Sequence, residues 1–375
     1  MYVNDYAVRF KERLLNNAKY AEESGATRLH SVAMLLVDWI DRSTKFMLEG
    51  SGLSICSSES PEAGIDIPAS LPSLLVNPFP ISFIQWNRLK KHHDTELTGL
   101  LIIDIDEKIF AECQAHDFMS FGRKNGQSSD RSFPADALGG ILTIAISGHG
   151  DYVVPTMGYF FHPADVQVIK MKVSRDIRKL LAAEAGSGRT INESIVKLLN
   201  APELDAMDSE PEVITKGRGN GIIDNGRFVL LSAEYIPEVL ERYGQGDAVL
   251  GLQQSAHVAQ AMAMFAMDFM AVVNCSNVVV MTNVPPDKMN VKRLRNGRLP
   301  FSEFKTLVIN DAPTKEYADD DDVDPESTGI HQRQHVRRAH IRVLCGGRNV
   351  YVRACVAGRA ELGTIRKNYL VQQPA

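Results

Sequence analysis

The chain has 375 residues, of which 44% are hydrophobic and 23% are charged, and its formal net charge is −5. This composition excludes a globally disordered chain, and the lack of any run of about 18 apolar residues argues against a membrane span. The five cysteines are widely spread without a C-x-x-C pair, and Met1–Tyr6 lacks the apolar stretch of a secretory signal. We therefore expect a cytoplasmic protein whose cysteines are free thiols.

In the first half of the chain, two predicted helices precede a series of predicted strands. The helices are Tyr6–Tyr20 and His30–Leu48, and apolar residues recur in the second at three- and four-residue spacing, which makes one apolar face. Period-two patterns then predict strands, and helical patterns follow them. The predicted elements are strands Ile81–Trp86, Leu100–Ile105, Ile109–Cys113, Ile141–Ile146, Tyr152–Val154 and Val166–Val173, then helices Arg175–Ala185 and Ile191–Leu199.

The second half combines one long apolar helix with a C-terminal antiparallel meander. The pattern over about Ala248–Val273 has no proline and no charge before Asp268, so this helix is expected to be buried on most sides or to form a homo-oligomer interface. Gly346-Gly347 marks the first turn of the meander. The other predicted elements are strand Phe228–Leu231, helix Ile236–Tyr243, strands Val278–Met281 and Thr306–Ile309, and meander strands Val336–Leu344, Asn349–Cys355 and Thr364–Leu370.

Two acidic stretches predict where the chain divides. Residues 202–222 are acidic and then glycine-rich, and residues 316–328 carry seven acidic side chains that repel one another. They predict an N-terminal lobe (1–201), a central lobe (223–315) and a basic meander (329–375), although both lobes could pack into one body. The elements together predict an α/β chain of the α+β class, with a helical N-terminus, a largely antiparallel sheet and a second lobe around the buried helix.

The C-terminal segment is strongly basic. Residues 331–367 contain nine basic side chains and one acidic side chain, a net charge of +8 over 37 residues. Because alternate strand residues share a face, we predict one face with Arg338, His340 and Arg342, joined by Tyr351 and Arg353 of the next strand. Such a ribbon fits nucleic acid, since arginine neutralises phosphate and an aromatic ring stacks on an unpaired base. A solvated face balanced by acids elsewhere and a face for an acidic protein remain as alternatives.

A second basic segment precedes the acidic stretch. Residues 287–305 carry six basic and two acidic side chains. This segment supports a basic surface, but such runs are also common on ordinary solvated helices.

A pair of carboxylates lies near the end of a predicted strand. Asp104 and Asp106 are two residues apart, and Glu107 follows. Carboxylates on one strand face could hold Mg²⁺ or Mn²⁺ for phosphoryl chemistry, whereas Asp106-Glu107-Lys108 also has the composition of a turn. The chain contains no P-loop, G-x-S-x-G or H-E-x-x-H motif, so the sequence leaves enzymatic activity undecided.

Several short motifs occur together in the last quarter of the chain. Asn290–Pro300 contains a basic N-x-x-R segment followed by Gly-x-x-Pro, Arg338–Arg342 reads R-x-H-x-R, and Tyr351–Arg353 is an aromatic-Val-Arg strand. In this combination the chain resembles a family of uncharacterised proteins of tailed bacteriophages and prophages, with Ala339 where a glycine often precedes the histidine. The resemblance implies a phage or prophage origin and the cytoplasm of a bacterial host, and it brings no established activity.

Three functions are compatible with these features. The first is a phage or prophage accessory protein that binds nucleic acid through the C-terminal meander. The second is a module that engages a host or phage protein, such as an inhibitor of a host defence system. The third is a metal-dependent phosphodiesterase or nuclease built around Asp104 and Asp106. The predicted nucleic-acid contacts are Arg338, His340, Arg342, Arg348, Tyr351, Arg353, Arg366 and Lys367.

Overall fold

The structure of the chain is a computed structural model. It describes residues 6–48, 65–72, 75–88, 96–116, 118–122, 133, 135–149, 152–153, 157–170, 212–216, 218–223, 225–231, 256, 258–310, 333–337, 339–344, 347–353, 355–357 and 359–364. The predicted helices Arg175–Ala185, Ile191–Leu199 and Ile236–Tyr243 and the acidic stretch 316–328 lie outside these residues.

The described α-helices lie in the first third of the chain and between residues 258 and 295. Among them, none combines the length and the apolar character that a membrane crossing requires. They are α1 (Tyr6–Glu23), α2 (Thr27–Arg42), α3 (Glu107–Ala115), α4 (258–273) and α5 (Asp287–Arg295).

The described strands run through the whole chain. They are β1 (Thr44–Met47), β2 (Asp66–Pro68), β3 (Ile81–Arg88), β4 (Glu96–Asp104), β5 (Met119–Gly122), β6 (Ile141–His149), β7 (Tyr152–Val153), β8 (Met157–Phe161), β9 (Val166–Lys170), β10 (Glu212–Val213), β11 (Arg218–Ile223), β12 (Arg227–Leu230), β13 (Val278–Asn283), β14 (Phe304–Ile309), β15 (Arg333–Arg337), β16 (His340–Val343), β17 (Asn349–Val352), β18 (Cys355–Ala357) and β19 (Arg359–Thr364).

One large sheet forms the centre of the molecule. Its strands follow the order β13-β14-β1-β3-β4-β6-β8-β12-β5, and β7 pairs with β6. The β14–β1 and β1–β3 pairs are parallel and the other pairs are antiparallel. The prediction of a largely antiparallel sheet and of the α+β class is confirmed.

Two smaller sheets complete the strand pairing. The order of the second sheet is β10-β9-β11-β2-β16-β17, and that of the third is β18-β15-β19. The predicted C-terminal hairpin is present as the antiparallel β16–β17 pair. The predicted strand Val336–Leu344 is divided, because β15 and β16 belong to different sheets.

Alternating residues of the large sheet serve two separate hydrophobic cores. Along β4, Leu101 and Ile103 face the core that α1, α2 and α3 cover. Leu100 and Ile102 face the other core, which α4 and the second sheet cover. This alternation is the period-two pattern of a strand that is buried on both faces.

Helix α4 is the centre of the second core. Its residues 265–273 are all buried, and the ring of Phe269 lies 5.0 Å from that of Phe46 on β1. Gly221 of β11 lies so close to Met267 that a β-carbon there would collide with the methionine. The predicted burial on most sides is confirmed for residues 265–273, and residues 248–255 and 257 of the predicted helix lie outside the described residues. Its residues 265–273 pack within the subunit, whereas Val258 is 47% exposed, and a homo-oligomer interface on this helix stays a prediction.

The segment predicted as strand Ile109–Cys113 is helical, so that prediction was wrong. The carboxylate of Asp106 accepts a hydrogen bond from the backbone N–H of Ile109 at 2.7 Å and caps the first turn of α3. Ile109 and Cys113 are four residues apart, and both point into the core from one helix face.

Strands from distant parts of the chain share sheets. β1 pairs with β14, which joins the predicted N-terminal and central lobes, and β2 pairs with β16 of the predicted meander. Residues 218–222 of the predicted linker belong to β11 within the second sheet. The described parts of the predicted lobes are therefore connected by backbone hydrogen bonds.

Candidate nucleic-acid interface

The β16–β17 hairpin does not place the predicted residues on one face. Residues paired directly across an antiparallel hairpin share a face, and Tyr351 is paired with Ile341 whereas Arg342 is paired with Val350. Tyr351 therefore lies on the face of Ile341, opposite to Arg342. The predicted face that combines Arg, His and Tyr side chains was wrong, because the register is shifted by one residue from the one it required.

Tyr351 lies in the hydrophobic core. It is 3% exposed and belongs to the cluster around α4. Burial raises the pKa of its phenol to about 12. A buried ring offers no surface to an unpaired base, so the stacking predicted for Tyr351 would require the core to open.

The other predicted contacts differ in exposure. His340 is buried, Arg342 is half-buried, and Arg348 and Arg353 are exposed. The guanidinium of Arg353 donates a hydrogen bond to the carbonyl of Ile309 at 3.3 Å, which holds it beside the end of β14. The predicted contacts that lie outside the described residues are Arg338, Arg366 and Lys367.

The basic residues on and after α5 form a more accessible cationic surface. We call Lys288, Lys292, Arg295 and Arg298 the α5 surface; all of them are exposed. Lys288, Lys292 and Arg295 are four and three residues apart and so share one face of the helix. Within the described residues, none of these side chains forms an ion pair with an acidic group.

The loop after α5 folds back onto the helix through specific contacts. The amide of Asn290 donates to the carbonyl of Phe301 at 3.0 Å and accepts from the Phe301 N–H at 2.8 Å. The guanidinium of Arg293 lies 4.1 Å from the centre of the Phe301 ring and donates to the carbonyl of Leu299 at 2.6 Å. Gly297 adopts a φ of +66° just after the helix, a conformation that favours glycine. These contacts make α5 and its loop one rigid unit.

The N-x-x-R and Gly-x-x-Pro motifs thus have a structural explanation. Asn290, Arg293 and Gly297 hold the loop, while the exposed Lys292 and Arg295 of the α5 surface lie between them in the sequence. The sequence interpretation treated this segment only as support for a basic surface. The spacing of Lys288, Lys292 and Arg295 could have predicted that they share one face of a helix.

The carboxylates considered for metal binding have separate surroundings. Burial and the nearby Asp106 raise the pKa of Asp104 to about 6, although a hydrogen bond from Asn77 opposes this shift. Asp106 caps α3. In the part of the chain that the structure describes, no group of three or more His, Cys, Asp or Glu side chains could hold a metal. A Mg²⁺ or Mn²⁺ site at Asp104 and Asp106 stays a prediction that needs further ligands.

A cleft of about 720 Å³ lies beside β9 and β10. Its described lining is largely apolar, and His162 is the one titratable side chain in it. The ring Nε2 of His162 already lies 2.8 Å from the carbonyl of Asp136, and Asp136 is bound by the guanidinium of Arg227. Among the described residues, the cleft therefore brings together no pair of groups suited to acid–base chemistry.

Within the two predicted basic segments, the exposed cations that the structure describes are those of the α5 surface and the pair Arg348 and Arg353. No protein-family model, curated protein or solved structure matches this chain.

Proposed function

We propose that this protein binds nucleic acid through the α5 surface, as an accessory protein of a phage or prophage. The observation that carries the proposal is the row of exposed cations on one helix face without ion-pair partners among the described residues. Cations that are not already neutralised retain their full attraction for phosphate. The resemblance to phage proteins includes Asn290–Pro300, which is the same segment.

Rigidity of the α5 unit supports the proposal further. Long cationic side chains lose rotamer entropy when they bind, and a mobile backbone would add to this cost. Because the contacts of Asn290 and Arg293 hold the loop on the helix, the backbone positions of Arg295 and Arg298 are fixed before binding.

The meander contributes a second, smaller set of contacts. Arg353 lies beside Ile309, at the end of β14 opposite to Phe304, and the loop after α5 leads into β14 at Phe304. A six-residue strand spans about 20 Å. A nucleic acid that contacts both the α5 surface and Arg353 must therefore extend along this distance, which corresponds to about six phosphates of one strand in B-form DNA.

The test is binding of labelled single- and double-stranded DNA and RNA as a function of salt. The four phosphate contacts of the α5 surface alone predict that affinity falls about 100-fold between about 50 and 200 mM salt, and the contacts of the meander add to this fall. The double variant Lys292→Ala with Arg295→Ala should reduce the slope of log affinity against log salt by about 2, because each lost contact removes about 0.9.

A matched control removes equal charge elsewhere. Lys19 and Lys108 are exposed lysines whose ion-pair partners among the described residues are i,i+4 neighbours on α1 and α3, so Lys19→Ala with Lys108→Ala changes the net charge equally. The control should retain the wild-type slope. Equal losses in both double variants would mean non-specific attraction, and absence of binding by the wild-type protein would refute the proposal. If the wild-type protein binds an acidic protein and not nucleic acid, and the Lys292 and Arg295 double variant no longer binds that protein, the same surface serves a protein partner.

A further inference from the structure

Strand β13 is an edge of the large sheet. Among the described residues it pairs with β14 alone, over all six residues from Val278 to Asn283. The other side of the strand therefore presents backbone N–H and C=O groups that no described strand satisfies. Such an edge is a template for pairing with another chain.

The sequence of β13 lacks the usual protection of an edge strand. Proteins block open edges with lysine, proline, a bulge or a very short strand. The strand Val-Val-Val-Met-Thr-Asn has no charge and no proline, and its pairing with β14 is regular throughout. It is also as long as β14 itself.

The face of β13 that points away from the α4 core is apolar and exposed. Val279 is 43% exposed and Met281 is 51% exposed. Their direct partners on β14 are Val308, which is 38% exposed, and Thr306. An open backbone edge and an exposed apolar face thus occur on the same strand.

We propose that β13 is a dimerisation edge, which pairs antiparallel with β13 of a second copy of this chain. The strand is self-complementary in a register centred on Val280. Residues paired across this register have numbers that add to 560, so Val279 of each copy lies opposite Met281 of the other. The two Val279–Met281 pairs then lie on the same exposed face of the joined sheet, and their side chains bury apolar surface against each other.

The two-fold symmetry of this arrangement is also compatible with the positive charge of the α5 surface. An antiparallel pair places the C-terminal ends of the two β13 strands at opposite ends of the joined sheet. Helix α5 follows that end, so the cationic α5 surfaces of the two copies lie apart. A parallel pairing would bring the same cations together at one end and would be opposed by their repulsion.

The experiment measures the mass of the full chain in solution by sedimentation. The wild-type protein is expected to have the mass of two chains, and Met281→Lys should halve it, because a lysine on the exposed face is a natural edge block. The control is Val213→Lys, since Val213 is 53% exposed on β10, an edge strand of the second sheet. This control should remain a dimer.

A second variant tests the register directly. Directly opposed residues of an antiparallel pair have Cα atoms about 4.5–5.5 Å apart, within the range that a disulfide spans. Val280→Cys should therefore form a covalent dimer on oxidation, whereas the wild-type chain with its native cysteines should not. Circular dichroism checks that each variant is folded.

A wild-type chain with the mass of one chain at its highest soluble concentration would overturn the proposal. So would a folded Met281→Lys variant that remains a dimer, because the copies would then meet elsewhere. A dimer that Met281→Lys dissociates but Val280→Cys does not cross-link would overturn the proposed register.

Discussion

The side-chain amide of Asn277 joins the C-terminal hairpin to the turn after α4 by two hydrogen bonds to the backbone of Tyr351. It donates to the Tyr351 carbonyl at 2.9 Å and accepts from the Tyr351 N–H at 2.8 Å. The backbone of Asn277 also accepts from the N–H of Asn310, at the end of β14. One asparagine therefore connects three segments that are far apart in the sequence.

Asn277→Ala should destabilise the protein by about 1–3 kcal/mol, because the backbone groups of Tyr351 lose their partners in a half-buried site. The measurement is the denaturant midpoint. Asn296→Ala is the matched control, since Asn296 is exposed at the end of α5, and it should change stability by less than about 0.5 kcal/mol. Equal effects of the two variants would contradict the role given to Asn277.

Asn290→Ala should weaken nucleic-acid binding about 3–10-fold without changing net charge, since it frees the loop after α5 and adds an entropic cost to binding. The slope of affinity against salt should stay at the wild-type value because no cation is removed. A variant with unchanged affinity would show that the rigid loop is irrelevant to binding.

The contribution of Arg348 and Arg353 should depend on the length of the nucleic acid. Arg348→Ala with Arg353→Ala should weaken binding to a duplex of about 20 base pairs and leave binding to a hairpin with a stem of about four base pairs unchanged, because the short stem cannot span the strand length between Arg353 and α5. Fluorescence anisotropy with both duplexes gives the comparison. Equal effects on both lengths would place these arginines next to the α5 surface instead.

Because the carboxyl of Asp268 is buried, we expect the stability of the protein to depend on pH in an unusual way. Its carboxyl is 4% exposed within α4, and burial raises its pKa to about 7, with Asp66 adding to the shift and a hydrogen bond from the Ile65 backbone opposing it. The folded protein then holds a proton that the unfolded chain has released, so stability falls as pH rises from about 4 to about 7.

Asp268→Asn removes this titration and keeps an acceptor for the Ile65 N–H. The gain in stability over wild type should grow by about 2–3 kcal/mol between about pH 5 and pH 8. Urea unfolding of both proteins at the two pH values measures it. If the variant is less stable than wild type at pH 8, the carboxylate has a compensating cation in the folded state.

Two substitutions of Asp106 distinguish its role as the cap of α3 from a role in metal binding. Asp106→Ala should cost about 1 kcal/mol, whereas Asp106→Ser should retain most of the stability because serine can also accept from the Ile109 N–H. Thermal unfolding with and without Mg²⁺ is the readout. A Mg²⁺-dependent stabilisation of wild type that Asp106→Ser abolishes would favour the metal site instead.

The sequence predicted local features well where one face of an element decides its structure. The apolar pattern of α4 predicted its burial, and the alternation along β3, β4 and β6 predicted strands. The assignment of Ile109–Cys113 failed because a short apolar segment fits both periods, and the cap from Asp106 decided in favour of a helix.

The same reasoning could not predict how segments that are far apart in the sequence pair with one another. Alternation correctly placed Arg342 and Ile341 on opposite faces of β16, but the register of the hairpin put Tyr351 beside Ile341. A shift of one residue reverses every face, and no property of either strand alone fixes it. The parallel pairing of β1 with its neighbours is likewise a property of the assembled sheet. The stretch that forms β1 was therefore included in the predicted helix His30–Leu48.

The position of β1 has a consequence for synthesis of the protein. Phe46 of β1 is registered with Lys305 of β14, which emerges from the ribosome 259 residues later. At about 5–20 residues per second, that interval lasts roughly 13–50 s. During this time one edge of β1 has no partner, so the growing chain carries an open strand next to apolar residues. We expect nascent chains that stop before β14 to need chaperone protection and to aggregate without it, whereas the completed chain closes this edge with its own β14.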